Sequence, residues 1–478
     1  MSLLGRVREF EERTRRLPPN VARGLTRRWE ELPAGAQTPA QMIGRKSAGC
    51  EGTHGVFPQC NFGCRPCYHS SDANKVRIDG THTVGEVEEQ MAFAQRQRGD
   101  GQFAQLIGGE VSLLDPIDHA AALATMRRHG RMPMSFSHGD FDYDYLEALA
   151  VGPDGARRFD EIAFAIHIDS TMSGRRIVRH PKNERELDDE RERVSDMFAK
   201  LRTDHGIRSY VAHNMTVTPQ NIDQVPGVIV NNRHHEYRMF SFQPAAYVGS
   251  EQRWHEGFRR FGADEVWARI EEGAGVELPY HGLQFGDLRC NRVTWGALVN
   301  DRYVPVIDET DLRDLRTRDE FFTAFPGALG VMPKPLKAVK VARSLVARPQ
   351  IVPAGLGWAR RFVRRSGGWR ARPWQAQPLT FVMHRFMDAA DVAAAWSLMK
   401  ANGSPNTPGK KLGVEAWGVD PRIQETIERL SACVYSMAHP ATGEMVPACV
   451  QHGVLDPEEN RQLVQLLPRR GPGSQTES

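Results

Sequence analysis

The sequence predicts an α/β fold: a partial barrel of six βα units with parallel strands, followed by an α+β extension. Between residues 46 and 250, short apolar runs rich in strand-forming residues alternate with helical patterns. Strands that alternate with helices form right-handed βαβ units and therefore a parallel sheet. Six units are too few for a closed eight-stranded barrel. The chemically distinctive residues follow the ends of the predicted strands, which is where parallel sheets bind ligands.

The alternation defines the individual elements. The predicted strands are the segment leading to Cys60 and the runs Phe103–Ile107, Met134–Ser137, Ile162–Ile168, Tyr210–Val217 and Tyr237–Gln243. The clearest helical patterns between them are Thr83–Gln97, Pro116–Arg128 and the highly charged Asn183–Leu201.

Changes in composition divide the chain into four parts. Residues 1–45 are Arg-rich and interrupted by prolines, which predicts a basic helical arm. Residues 46–250 form the βα core, and residues 251–470 form the less regular extension. Residues 471–478 are small and polar, which predicts a disordered tail.

The bulk composition excludes several classes of protein. The chain has 478 residues, a net charge of +3 and no apolar run long enough to span a membrane. Its N-terminus lacks the apolar region of a secretory signal, so we expect a cytoplasmic protein. Seven cysteines in such a chain favour metal-binding or catalytic thiols over disulfides. The near-neutral charge does not favour nucleic acid as a general partner.

Three of the cysteines form a tight cluster, Cys60-Asn-Phe-Gly-Cys64-Arg-Pro-Cys67. A 4Fe–4S cluster needs four ligands, and thiolates are the usual ones. Three protein ligands leave one iron open for a substrate or cofactor. The alternative is a structural zinc site with Cys50 or His69 as the fourth ligand.

A second motif, Gly108-Gly109-Glu110, follows the predicted strand Phe103–Ile107. Glycines at a strand end let the backbone approach a ligand closely. The carboxylate that follows suits a cationic ammonium group. Any tight turn can also contain such a sequence. The motif indicates a ligand site only because it follows the cysteine cluster, at the end of the next predicted strand.

Together, the CxxxCxxC and GGE motifs resemble those of the radical S-adenosylmethionine superfamily. The resemblance implies a TIM-like (βα)6 partial barrel in which Cys60, Cys64 and Cys67 hold a 4Fe–4S cluster. The fourth iron binds S-adenosylmethionine, and one electron from a donor such as ferredoxin or flavodoxin cleaves it. The resulting 5′-deoxyadenosyl radical abstracts hydrogen from an unactivated C–H bond.

The resemblance also implies residues that bind the cofactor. An aromatic residue usually precedes the last cysteine of the motif, whereas here Pro66 precedes it and Tyr68 follows it. The continuation GEVSLLDP is similar to the family's GGEPxLxxD pattern, with Val111 in place of Pro and Asp115 one residue early. The implied cofactor-binding residues are Tyr68, Gly108, Gly109, Glu110, His138, Asp169 and Gln243. By themselves, His138-Gly139 also fits a turn and Asp169-Ser170 a helix N-cap.

A second metal site is expected in the extension. Cys433 and Cys449 flank Gly443 in a pattern that resembles the auxiliary-cluster hairpins called twitch and SPASM. Cys290 is the expected third ligand of this auxiliary iron–sulfur cluster, with Cys50 or His452 as the fourth. The alternative is that these are buried free thiols, which are common in protein cores.

One segment of the extension is strongly basic. Between Phe321 and Asp388 there are twelve Lys or Arg residues, several Trp and no acidic residue. Such a segment fits a solvated loop, a single-stranded nucleic-acid surface or an interfacial helix on an anionic membrane. We favour the membrane, because the run Ser241–Gly249 resembles the matching stretch of tetraether lipid synthases.

The sequence therefore predicts a radical S-adenosylmethionine enzyme, cytoplasmic or peripheral at a membrane, that acts on a lipid or a lipid-like molecule. It does not identify a catalytic residue on the substrate side. One alternative is a peptide-modifying or molybdopterin-precursor-cyclase-like radical enzyme. An alternative of another class is a zinc-stabilised nucleic-acid-binding protein.

Overall fold

The computed structural model of the chain describes residues 2–69, 71–248, 261–327, 333–402 and 418–469. The predicted tail, residues 471–478, lies outside the described residues. The strands are β1 Cys50–Gly52, β2 Gln102–Leu106, β3 Arg131–Ser137, β4 Glu161–His167, β5 Arg208–Val217, β6 Tyr237–Pro244, β7 Asn291–Val299, β8 Arg302–Pro305, β9 Gln377–His384, β10 Tyr435–His439 and β11 Glu444–Pro447.

The helices are named in chain order. They are α1 Leu3–Thr14, α2 Pro19–Glu31, α3 Gly80–Arg98, α4 Pro116–Arg128, α5 Tyr143–Ala150, α6 Asp188–His205, α7 Val225–Asn232, α8 Ala263–Ala274, α9 Leu312–Ala324, α10 Lys334–Ala347, α11 Ile351–Arg365, α12 Ala389–Asn402, α13 Pro421–Ser431, α14 Ala448–Val450 and α15 Asp456–Leu466.

All the described strands form one sheet in the order β11-β10-β1-β2-β3-β4-β5-β6-β9-β7-β8. Eight strands in the middle of this order are parallel to one another: β10, β1, β2, β3, β4, β5, β6 and β9. The strands β11, β7 and β8 are added antiparallel at the two ends of the sheet. The predicted α/β fold with a partial barrel of six sequential parallel strands is confirmed.

The first strand differs from its prediction. It ends at Gly52, well before Cys60, and the intervening residues form an irregular loop. Gly55 has φ +66°, outside the strand region, and Pro58 has no N–H to donate to a neighbouring strand. The chain therefore leaves the sheet early and gives the cysteine motif a long connection to α3.

Aspartates begin several helices just after the strand ends. Asp79 accepts a hydrogen bond from the His82 N–H at the start of α3, and Asp142 accepts one from Tyr145 at the start of α5. Asp115 caps α4 in the same way, one residue before a proline at the first helical position. Asp115, which departs by one residue from the family pattern, therefore has a structural role here.

The extension continues the sheet of the core rather than packing as a separate sheet. Tyr435 in β10 pairs with Cys50 in β1, and Phe381 in β9 pairs with Phe240 in β6. The main core lies between the central strands and the helices α3–α8, where apolar side chains from both layers are fully buried. This core holds the carboxyl ends of β1 to β6 side by side.

Candidate active site

The cysteine motif lies on the loop that joins β1 to α3, at the carboxyl edge of the parallel strands. Cys60, Cys64 and Cys67 are all partly buried. The other residues predicted to bind the cofactor follow neighbouring strands along the same edge: Gly108, Gly109 and Glu110 after β2, His138 after β3, Asp169 after β4 and Gln243 near the end of β6. The fold thus brings the predicted core-site residues to one edge of the sheet.

The middle of the cysteine loop is held by the segment that follows β4. The Gly63 N–H donates to the Ser173 carbonyl at 2.9 Å, and the Ser173 hydroxyl donates back to the Gly63 carbonyl at 2.7 Å. The Arg65 N–H donates to the Thr171 carbonyl at 2.9 Å. These bonds fix the backbone on both sides of Cys64.

A stacked ring pair ties the same loop to the end of β3. The Phe62 ring stacks on the His138 ring with centroids 3.8 Å apart and an interplanar angle of 13°. His138 Nδ1 accepts from the Asp140 N–H, so its Nε2–H donates to Asn61 Oδ1 at 2.8 Å. Burial lowers the pKa of His138, which keeps the ring neutral. His138 therefore holds the cysteine loop in place, and its predicted contact with the cofactor remains a prediction.

The three thiols are close enough to influence one another. Burial raises the pKa of Cys64 well above its ordinary value, and the charges of Cys67 and Cys60 raise it further. Deprotonation of all three thiols is therefore unfavourable without a positive charge among them, and a metal centre supplies that charge.

The spacing of the thiols differs from that around a single ion. In the described part of the chain, two groups of at least three ligand atoms lie within 4.8 Å of one another, and neither contains a cysteine. Thiolates around one zinc ion are about 3.8 Å apart, because each Zn–S bond is about 2.3 Å. At least one pair of the three cysteine sulfurs is therefore more than 4.8 Å apart, farther than two thiolates on one zinc ion.

The two glycines of the GGE motif allow close contact with the segment before Cys60. A side chain at Gly109 would overlap the carbonyls of Pro58 and Gln59, and one at Gly108 would overlap the Phe57 ring. The Gly109 N–H also donates to the Phe57 carbonyl at 2.7 Å. The close approach that we predicted for a ligand is made, in the structure, by the cysteine loop itself.

Glu110 is almost completely buried, with 1% exposure. Its carboxylate accepts hydrogen bonds from the Ser137 hydroxyl at 2.7 Å, the His138 N–H at 2.8 Å and the Ser112 N–H at 2.9 Å. Its backbone N–H donates to the Gln59 carbonyl at 2.9 Å. Glu110 therefore connects the ends of β2 and β3 to the cysteine loop.

Tyr68 packs onto the GGE backbone from the other end of the cysteine loop. Its hydroxyl donates to the Gly108 carbonyl at 3.2 Å, and the His69 ring also contacts this carbonyl. The Tyr68 ring lies 4.4 Å from the ring of His452. Burial raises the pKa of Tyr68 well above its ordinary value. The aromatic residue after the last cysteine is thus fixed at the strand-end edge.

Asp169 is fully buried and connects β4 to β5. It accepts from the N–H and hydroxyl of Thr171 at 2.8 and 2.6 Å, from the Thr216 N–H at 2.7 Å and from His167 Nε2 at 2.7 Å. Burial disfavours its charged form, but His167 and these donors outweigh burial and lower its pKa to about 2. Asp169 caps no helix, because the next helical turn begins only at Glu184.

The side-chain amide oxygen of Gln243 has no hydrogen-bond partner in the protein. Its Nε2 donates to the Ser241 hydroxyl at 2.7 Å, whereas its Oε1 is buried and makes no hydrogen bond. Buried polar atoms are nearly always hydrogen-bonded, so an unpaired one at a strand end is a place for a ligand donor.

The cysteines of the extension also lie near one another. Burial raises the pKa of Cys449, and the charges of Cys433 and Cys290 raise it further. Arg429 Nε donates to Cys290 Sγ at 3.1 Å, and Arg429 Nη2 is buried without a hydrogen-bond partner. Arg429 Nη1 also pairs with Glu425 at 3.3 Å. A buried guanidinium beside Cys290 and Cys449 favours their deprotonated forms or an anionic centre that they hold.

Part of the basic segment packs against the preceding residues of the extension. Arg361 and Arg365 both bind the buried Asp314 in α9, at 2.6 and 2.7 Å. The Trp358 Nε1–H donates to the Val306 carbonyl at 2.8 Å. These three side chains therefore stabilise the fold, and they are unavailable for the surface role that the sequence suggested for the whole segment.

The remainder of the basic segment exposes apolar side chains, and so does the N-terminal helix α1. The two regions are in contact, because α1 packs against α10. Half of the large apolar side chains exposed in the described residues lie in α1 or between residues 334 and 375: Leu3, Leu4, Val7, Phe10, Val346, Val352, Leu356, Trp369 and Trp374. We call these nine residues the apolar surface. None of the described helices is long and apolar enough to cross a membrane.

Several residues of the site were not predicted from the sequence. Ser137 and Arg429 contact predicted residues from other elements, so nothing local in the sequence marks them. Asp456 accepts from His452 Nδ1 at 2.7 Å, and the His452 Nε2 atom is buried without a hydrogen-bond partner. The spacing of four residues between His452 and Asp456 on consecutive helical turns was the available signal.

Comparisons with known proteins give only weak similarities. No protein-family model matches the chain, and no curated protein is significantly similar to it. The structure of native anSMEcpe with bound AdoMet matches with a TM-score of 0.29 and 10% identity, over 46% of this chain and 57% of that chain. Streptococcus suis SuiB bound to precursor peptide SuiA matches with a TM-score of 0.28 and 11% identity, over 40% of this chain and 38% of that chain. In both cases the match spans less than two thirds of the other protein, and TM-scores this low carry no inference about function.

Proposed function

We propose that this chain is a radical S-adenosylmethionine enzyme. The observation that carries the proposal is the position of the three-cysteine loop, at the carboxyl edge of six parallel strands and in direct contact with the GGE motif. Cys60, Cys64 and Cys67 would hold a 4Fe–4S cluster with one open iron. When bound, the cluster and S-adenosylmethionine supply a 5′-deoxyadenosyl radical that removes hydrogen from an unactivated C–H bond.

The residues around the loop suit this pair of cofactors. The thiols need a positive centre in order to ionise together, and their wide spacing favours a cluster over a single ion. Gln243 Oε1 offers an unpaired acceptor at the same edge of the sheet, suitable for a hydroxyl or amino group of the cofactor. The protein's own contribution is to fix the loop and to exclude water from a reactive radical.

The experiment is anaerobic purification of the full chain, followed by reduction in the presence of S-adenosylmethionine. We expect bound iron and sulfide and the formation of 5′-deoxyadenosine. Alanine at Cys60, Cys64 or Cys67 should abolish 5′-deoxyadenosine, whereas Cys50→Ala, the matched control in the preceding strand, should not. Colourless protein that contains zinc, or a triple variant that still forms 5′-deoxyadenosine, would contradict the proposal.

We propose further that Cys290, Cys433 and Cys449 bind an auxiliary iron–sulfur cluster. Arg429 supports this assignment, because a buried guanidinium with a free N–H group suits an anionic cluster better than three neutral thiols. Arg429 also pairs with Glu425 at 3.3 Å, so an anionic cluster would be the second negative partner of this guanidinium.

The apolar surface and the exposed basic residues beside it support a lipid or lipid-like substrate reached at an anionic membrane. Arg360 and Arg364 project from α11 and are exposed, and Trp369 and Trp374 are each about two-thirds exposed. Exposed Arg and Trp side chains in one segment are typical of segments that bind in the headgroup region. This proposal includes α1, whose apolar residues the sequence analysis did not consider.

A further inference from the structure

A histidine–carboxylate group lies beside the start of the cysteine loop. His54 follows β1, His439 ends β10 and Glu459 lies on α15. Potential ligand atoms of the three residues all lie within 4.8 Å of one another. The two histidine side chains are 12% exposed and the glutamate 25%, so the group is shielded but open to small solutes.

Both imidazoles turn the same nitrogen toward the carboxylate. His54 Nδ1 is 3.0 Å from one Glu459 oxygen, and His439 Nδ1 is 3.8 Å from the other. The two rings stack, with centroids 4.0 Å apart. Three side chains from distant parts of the sequence therefore converge on one point.

The other nitrogen of each imidazole is used as a donor. His54 Nε2 faces the Ala438 carbonyl at 2.9 Å, and this oxygen can only accept. Gln451 Nε2 donates to Asp456 and Glu459, each at 2.8 Å, so Gln451 presents its oxygen to His439 Nε2 at 2.6 Å. Each Nε2 therefore carries a hydrogen.

This assignment determines what the Nδ1 atoms can bind. In a neutral imidazole with Nε2 protonated, Nδ1 presents a lone pair. His54 Nδ1 can share a hydrogen with the Glu459 oxygen 3.0 Å away, and a metal ion bound by both imidazoles and the carboxylate would replace that hydrogen. Histidines that bind a metal characteristically donate their other N–H to a carbonyl or carboxylate, as both do here.

We propose that His54, His439 and Glu459 bind a divalent transition-metal ion, with zinc as the best fit. Two imidazole nitrogens and one carboxylate form a common zinc ligand set, which leaves a further position for water. Binding requires the stacked rings to tilt apart and His439 Nδ1 to move less than about 1 Å toward the carboxylate, given Zn–N and Zn–O bonds near 2.1 Å.

The ion would join three parts of the chain: the residue that leads into the cysteine loop, the end of β10 and helix α15. The site is separate from the cysteines, so it goes beyond the proposed function and does not depend on it. By binding all three residues, the ion would hold β10 and α15 against the start of the cysteine loop at His54.

The chain contains a matched control. Glu147, Asp204 and His205 form a second convergent group, in which His205 Nε2 lies 2.6 Å from a Glu147 oxygen. In that group Asp204 already binds Lys200 and accepts from the Tyr143 hydroxyl. Asp204 is thus already paired with a protein cation, and His205→Ala should remove an imidazole without affecting zinc.

The test uses the full chain with its cysteine sites loaded with iron and sulfide, incubated with zinc and passed through a desalting column. Elemental analysis should find about one zinc per chain in the wild type and in His205→Ala, and a loss of most of it in His439→Ala and Glu459→Gln. Iron should be the same in all four proteins, which separates this site from the cysteines. Circular dichroism checks that the variants are folded.

Cobalt provides a second measurement on the wild type alone. Cobalt bound by nitrogen and oxygen shows weak visible bands without the intense near-ultraviolet absorption of thiolate ligands. Zinc should also raise the thermal midpoint of the wild type, because an ion that binds only the folded chain stabilises it. Wild-type protein that retains no zinc, zinc that is equal in all four proteins, or cobalt with thiolate absorption would overturn the proposal.

Discussion

The Ser137 hydroxyl donates to the Glu110 carboxylate at 2.7 Å, from the last residue of β3 to the residue that ends the GGE motif. With the N–H groups of Ser112 and His138, it gives this buried carboxylate three donors. Glu110→Gln replaces one acceptor oxygen by an amide donor, which must then face an N–H or O–H group. We expect Glu110→Gln to weaken S-adenosylmethionine binding at least tenfold, equivalent to about 1.4 kcal/mol, as measured by equilibrium binding to the reconstituted protein.

Ser137→Ala is the control for this prediction. It removes one neutral donor and leaves the carboxylate with two, so we expect a smaller loss of affinity. The absorption spectrum of the cofactor-free protein should be similar in both variants, because neither residue is a thiol. Unchanged affinity in Glu110→Gln would contradict a role for Glu110 in holding the cofactor.

The second prediction concerns the number of clusters. In a chain with two 4Fe–4S clusters, the triple alanine variant of Cys60, Cys64 and Cys67 should retain roughly half of the iron. Adding Cys433→Ala should reduce iron to background. A folded triple variant without iron would show that the extension holds no cluster.

The third prediction concerns the apolar surface. We expect the protein to sediment with anionic vesicles but not with zwitterionic ones, and salt should weaken the binding. Arg360→Glu with Arg364→Glu should abolish binding, because both side chains are exposed. Lys182→Glu with Arg185→Glu, an exposed pair in another part of the molecule, should not affect it.

Reversal of Arg361 or Arg365 would not test the membrane interaction, because it would leave Asp314 buried beside a like charge. The tryptophans give a separate readout, since the fluorescence of Trp369 and Trp374 should shift to the blue on vesicles. Binding to single-stranded nucleic acid in place of vesicles would favour the nucleic-acid alternative. Binding to neither would remove the main support for a lipid substrate.

The fourth prediction concerns acid stability. His119 is fully buried between the Ser135 and Tyr145 hydroxyls, and burial lowers its pKa to about 3. In the unfolded chain its pKa is about 6.5, so the unfolded state binds more protons between these values. Stability should therefore fall as the pH decreases from about 6.5 toward 3, by up to about 1.4 kcal/mol per pH unit from this residue.

His119→Gln should reduce this acid sensitivity while lowering stability at neutral pH. The measurement is the thermal midpoint of both proteins between pH 7 and pH 5. A wild-type midpoint that changes with pH in parallel with that of the variant would assign the acid sensitivity to other groups.

The core of the fold was predictable because its signals are local. Periodicity located β2 to β6 within a few residues, and the helical pattern Pro116–Arg128 gave the bounds of α4. The place of β10 was not predictable, because its partner Cys50 lies near the other end of the chain. No local pattern encodes a pairing between residues so far apart.

The same distinction applies to the site. Cys60, Cys64 and Cys67 were identified because cluster ligands on one loop leave a spacing in the sequence. Ser137, Arg429 and Asp456 act on predicted residues from separate elements, and their contacts exist only after the sheet has formed. The division of the basic segment into packed and exposed residues also depends on tertiary contacts, in particular on Asp314.

The place of β10 beside β1 affects how the protein folds as it is synthesised. Strand β1 lies between β10 and β2, and its pairing with Tyr435–Met437 cannot form until nearly all of the chain has left the ribosome. Contacts between such distant segments form slowly, because a long loop must be closed first. Until then β1 exposes an unpaired strand edge and the cysteine loop lacks its neighbours from β10 and α15. We therefore expect nascent chains stopped before residue 435 to be prone to aggregation, and a C-terminal truncation to affect the N-terminal cysteine loop as strongly as a local mutation.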